Sequence, residues 1–154
     1  MPYRVLQRSR VESGFTLVEL LLAILITAIL FSIAIPSLLS QQGNAADAGA
    51  EQLARVVKTT AETYVVDHEG TYEGMTAAEL KRYEPGIQIV PGNGNAYLST
   101  VTVEPGELGY VVTATATDGH TFSIEKKSSG QVLHGCTPAG KTGSAGGACQ
   151  KGTW

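Results

Sequence analysis

What this sequence lacks narrows its functions first. Of 154 residues, only 6% are aromatic and 16% charged, and no acidic or basic side chain occurs between Glu19 and Asp47. A helix on the surface of a water-soluble domain carries a polar face, so that gap excludes an ordinary surface helix. With few rings available, any core must be built from Val, Ile, Leu and Ala. Histidine is scarce: His68, His120 and His134 show no HxxxH or HExxH spacing and read as solvent-facing. Ser128 and Ser129 lie outside a nucleophile elbow. Neither Gly92-Asn93-Gly94 nor the glycines of 140–147 precede the Lys-Ser/Thr pair of a phosphate loop. Asp67, Glu69 and Glu73 do not fit the EF-hand pattern. The reading is a non-enzyme with no cofactor and no metal. No basic patch of the size that nucleic-acid binding needs is visible either.

Cysteine is nearly absent. Cys136 and Cys149 have neither a CxxC partner nor a neighbouring cysteine, which disfavours a zinc site. In an exported domain, an isolated pair with 12 intervening residues reads most simply as one disulfide, the alternative being two free thiols.

What is present is a long apolar run. Residues 14–36 read GFTLVELLLAILITAILFSIAIP, and residues 15–35 as a helix span about 31 Å, close to a hydrocarbon core. Arg4, Arg8 and Arg10 precede it against Glu12, so 3 of the 11 basic but only 1 of the 14 acidic side chains lie in the head. That asymmetry places the head in the cytoplasm and the acidic remainder outside. Glu19 lies inside the run, where a carboxylate costs on the order of 2.5–3.5 kcal/mol or more. Three readings compete. An ordinary secretory signal would be cut after Ala34, although the run is long and Pro36 follows closely. A plain single-pass anchor leaves Glu19 unexplained. A signal cut at Gly14–Phe15 would leave the apolar helix on the mature protein.

Gly14-Phe15-Thr16-Leu17-Val18-Glu19, followed by an apolar span and Pro36, resembles the class III signal of type IV pilins and pseudopilins. The resemblance implies cleavage after Gly14 by a prepilin peptidase, N-methylation of Phe15, and an assembly role for Glu19. A neighbour's Phe15 α-amino group, still able to carry charge after methylation, would sit beside Glu19 in a helical bundle. Pairing there offsets part of the desolvation cost and penalises any stagger that leaves the charge alone. The implied product is a structural subunit of a type IV pilus-like surface filament. A type II secretion pseudopilin or a minor pilin is the alternative, and a secreted or anchored binding domain a lower one. Implied partners are further copies of the chain, the peptidase, a pilus or secretion assembly platform and the membrane. The implied location is the cytoplasmic membrane in a single pass, then an extracellular filament.

The remaining chain predicts an α+β, pilin-like ladle: a long helix packed on three or four antiparallel strands. Residues 1–14 form the leader and 15–67 the long helix, its assembly segment at 15–36. Residues 68–86 connect, and 87–154 form the head with a cysteine-bounded C-terminal loop. Pro36 should break the helix, with Gly43 and Gly49 weakening it further. From Asp47 an amphipathic stripe of Leu53, Val56, Val57, Thr60, Ala61, Tyr64 and Val65 opposes Glu51, Arg55, Lys58 and Glu62. Thr76 and Glu79 form a capping box and Pro85 ends a short helix. Strands are expected at 87–90, 97–103, 108–117, 120–126 and 131–134. The Asp118-Gly119 step reads as a type I′ hairpin turn. The disulfide would pin a Gly/Ser/Thr-rich tail to the sheet edge, and Trp154 reads as a contact or a plain chain end, the second slightly preferred.

Overall fold

The computed structural model describes residues 14–137, 149 and 152–154. The leader expected at 1–14, apart from Gly14, and most of the cysteine-bounded loop lie outside the described residues. The chain divides into two units, Met1–Ser37 and Leu38–Trp154.

Helix α1 runs over Leu17–Asp67. Thr16 starts it: its hydroxyl accepts from the Glu19 backbone N–H at 3.2 Å, and its carbonyl accepts from Leu20 N–H at 3.1 Å. Pro36 does not break this helix, which stays continuous through it. A proline removes one backbone donor, and a helix otherwise made of strong formers absorbs that loss locally. Glycines 43 and 49 are likewise carried within α1.

In the second unit, α1 presents Ala46, Ala50, Ala54, Val57, Ala61 and Tyr64 to the core, all nearly or fully buried. These recur at three- and four-residue intervals, one face of a 3.6-residue period. The expected stripe is correct at Val57, Thr60, Ala61 and Tyr64, all buried. Leu53, Val56 and Val65 lie at its margin, partly buried. The centre of that face is built of small alanines. Helix α2, Ala77–Tyr83, is capped as expected: the Thr76 hydroxyl accepts from Glu79 N–H at 3.2 Å, and Leu80 is buried.

Strands β1 (Ala96–Val103), β2 (Tyr110–Ala116), β3 (Thr121–Lys126) and β4 (Val132–Thr137) form one antiparallel sheet in the order β1-β2-β3-β4. Tyr110, Val112, Ala114, Ala116, Phe122 and Ile124 are its buried face. A short strand expected at 87–90 does not form; that segment adds one backbone bond, Leu98 N–H to Gln88 O at 2.7 Å. Simple alternation in β1 put Leu98 on the face opposite Val101 and Val103. A bulge between Leu98 and Thr100 adds one residue and reverses parity, so Leu98 pairs with Ala114 while Val101 pairs with Val112.

The β2–β3 turn also differs from expectation. Type I′ needs positive φ at two successive residues, and here Gly119 has φ 91° while Asp118 does not. Gly119 N–H donates to Ala116 O at 3.0 Å and Ala116 N–H to His120 O at 2.8 Å. That is a type I turn closed by a glycine bulge, and Lys127–Gly130 repeats it.

Candidate functional site

The surface that sets this chain apart is the first half of α1. Phe15, Leu17, Val18, Leu20, Leu21, Leu22, Ile24, Leu25 and on to Leu38 are all more than half exposed. Its strongest hydrophobic window buries nothing inside the chain and is long and apolar enough to cross a membrane. Its hydroxyls are satisfied within the helix. Thr27 Oγ1 donates to Ala23 O and Ile24 O, and Ser32 Oγ to Ile29 O at 2.7 Å. These side chains therefore ask nothing of water, and the cylinder suits lipid or other helices.

Glu19 is the exception, sited in the first turn of α1. Thr16-Leu17-Val18-Glu19 is itself a capping-box sequence, with the Thr16 hydroxyl accepting from the Glu19 backbone N–H. A cap and the helix dipole together are worth about 1–2 kcal/mol. That accounts for an acid near a helix start in water. It falls short of the cost of holding the same acid in lipid. Gly14 and Phe15 precede the helix, Phe15 85% exposed, and a Cβ at Gly14 would meet no described atom within 4 Å. The fold of this chain therefore gives no reason for glycine there.

The head carries chemistry that the sequence hid. Glu62, assigned to a solvent face with Lys58, instead takes Lys126 Nζ at 2.6 Å and accepts from Tyr72 Oη at 3.2 Å and Tyr110 Oη at 3.3 Å. Lys126 Nζ also donates to Tyr72 Oη at 2.8 Å. Burial pushes the Tyr110 hydroxyl far above the usual phenol range, with the charge of Glu62 adding to it. For Lys126, burial pulls downward, but its hydrogen bonds to Glu62 and Tyr72 outweigh that and hold it raised. On the same helix, Glu51 and Arg55 form an i,i+4 ion pair at 4.0 Å.

None of the three histidines is a bare solvent-facing ring. His68 stacks on Tyr64 at 3.7 Å between centroids, and His134 lies 4.6 Å from the Trp154 ring. His120 Nδ1 reaches Asp47 Oδ1 at 2.9 Å and Asp118 Oδ2 at 3.2 Å. Trp154 is no plain chain end either. Its Nε1–H donates to Gly135 O at 2.9 Å, its ring meets Phe122 edge-on, and the Arg55 guanidinium lies 4.8 Å above it. Cys136 and Cys149 have bonded sulfurs and Cα atoms 5.6 Å apart, and Cys136 N–H donates to Gly152 O at 3.0 Å, along the β4 edge.

Residues 9–35 match the family model described as the prokaryotic N-terminal methylation motif. The competence protein ComGC of Bacillus subtilis is 32% identical over 89 residues, covering 58% of this chain and 90% of that protein. The competence protein ComGC of Halalkalibacterium halodurans is 31% identical over 72 residues, 47% of this chain and 71% of that protein. No solved structure matches the chain.

Proposed function

This chain belongs to the type IV pilin family, and from that premise we propose that it is a membrane-anchored, exported subunit of a competence-type pseudopilus. The observation that carries the reading is the pairing of an uncovered apolar helix with an acid in its first turn, Glu19. The competence-named relatives favour this filament over a type II secretion pseudopilus or a minor pilin role.

In this reading a prepilin peptidase cuts after Gly14 and the new terminal Phe15 is N-methylated. A glycine with no described atom within 4 Å of where its Cβ would stand is consistent with selection by a protease that needs the scissile bond uncovered. The mature helix waits in the membrane with Glu19 in a costly setting. In the filament, the α-amino group of Phe15 from a neighbouring copy neutralises Glu19, so that only one stagger leaves no buried charge unpaired. Helix contacts with other copies then replace lipid along residues 15–36, and Leu38–Trp154 forms the outer layer.

Intact mass of the protein recovered from the membrane and from sheared filaments tests this. A mature chain starting at methylated Phe15 in both fractions is the expected result. A product starting at Ile35, found only as a soluble monomer, would replace the reading with an ordinary secreted domain.

A further inference from the structure

Asp47, Asp118 and His120 come together from two places: Asp47 projects from α1, while the other two belong to the β2–β3 turn. One donor atom from each lies within 4.8 Å of the others. His120 Nδ1 is 2.9 Å from Asp47 Oδ1 and 3.2 Å from Asp118 Oδ2. A ring nitrogen carries at most one hydrogen, so it cannot donate a straight bond to both carboxylates at once. Asp47 is only 1% exposed, and its second oxygen, Oδ2, is buried with no hydrogen-bond partner. A buried carboxylate oxygen left unmatched costs free energy that a cation would recover.

Two carboxylates gathered around one imidazole also give the cluster a negative character that suits a cation. Asp118 is already oriented, because its Oδ1 accepts from the His120 backbone N–H at 3.0 Å.

We propose that Asp47, Asp118 and His120 form a binding site for a divalent transition-metal cation of the zinc(II) class, joining α1 to the β2–β3 turn. Zinc bonds of about 2.0–2.2 Å in tetrahedral geometry set neighbouring donor atoms roughly 3.3 Å apart. The two His–Asp separations are within a few tenths of an ångström of that value. One imidazole nitrogen beside two carboxylates selects transition metals over magnesium or calcium, which prefer oxygen alone. The His120 and Asp118 side chains are 16% and 25% exposed, leaving an open side for entry and for a water as fourth ligand.

The test uses the full chain in detergent micelles, stripped with a chelator and titrated with cobalt(II), then zinc(II). One equivalent of cobalt should bind with the visible absorption of a low-coordinate site, zinc should displace it, and excess magnesium or calcium should not. His120→Gln and Asp118→Asn, both on the accessible turn, should each lose at least about tenfold in affinity with circular dichroism unchanged. His68→Gln and His134→Gln should bind as the parent does. Absence of stoichiometric cobalt binding to the unaltered chain would overturn the proposal. So would full affinity in His120→Gln, or calcium binding as tight as zinc; the triad would then be held by protons alone.

Discussion

Replacing Glu62 with alanine removes one acceptor from three donors at once. Lys126 Nζ, Tyr72 Oη and Tyr110 Oη all meet its carboxylate, and Tyr110 is fully buried. The Glu62 side chain is 38% exposed, so solvent screening limits the ion pair with Lys126 to about 1 kcal/mol. Leaving the Tyr110 hydroxyl without a partner adds about 1–3 kcal/mol. Tyr72 Oη still accepts from Lys126 Nζ, but its own O–H loses its acceptor as well, which places the effect toward the upper end of the range. The total is about 2–4 kcal/mol, or on the order of 10 °C in Tm for a domain of this size. Thermal unfolding of the full chain in detergent, followed by circular dichroism, measures it. Tyr110→Phe alone should cost about 1 kcal/mol. In the Glu62→Ala background the same change should cost nothing or restore stability, because the orphaned hydroxyl goes with it. An Tm for Glu62→Ala within 2 °C of the parent (about 0.5 kcal/mol), or strictly additive effects of the pair, would refute this account of the network.

Other expectations concern the C-terminal end and pH. Trp154→Ala loses the bond to Gly135 O and the edge contact with Phe122, and should destabilise by about 2–3 kcal/mol in the same melt. Cys149→Ser opens the closed loop and should cost about 3 kcal/mol in the chain-entropy model, reproduced in the parent by reductant. Burial, then the charges of Arg55 and Lys58, lower the His134 pKa below its usual value. The unfolded chain therefore binds the proton first, and stability should fall as pH drops from about 6.5. His134→Gln should flatten that part of the stability–pH curve relative to the parent; an unchanged slope would assign it elsewhere.

The legible part of this fold was the part written in periodicity. The apolar span, the N-cap at Thr76 and the buried face of β2 and β3 follow from local pattern, and the structure has them. Alternation failed in β1 because the bulge beyond Leu98 reverses parity, and nothing local to Tyr97–Ser99–Thr100 announces it. The helix stripe expected from Leu53 onward leaves out the alanines at positions 46, 50 and 54, which small size hides from a reading of apolar periodicity. Polar partners were the least legible. Glu62 reads from its spacing as a residue of the face opposite the stripe, yet its partner is Lys126, 64 residues on in sequence. Asp47 and His120 are separated by 73. Such pairs are set by the register of α1 on the sheet, which no local spacing encodes. Trp154 was underestimated for the same reason: a terminal residue shows no pattern until β3 and β4 offer it their carbonyls.

The central claim is that Glu19 is tolerated in lipid because another copy neutralises it during assembly. Glu19→Gln isolates the charge, since glutamine keeps the capping box with Thr16 and fits the same space. The decisive measurement is the amount of this variant in sheared filaments relative to the membrane, with no unaltered copy present. The account predicts full membrane insertion, processing at Gly14 and no filament. Filaments of normal yield from Glu19→Gln would contradict it.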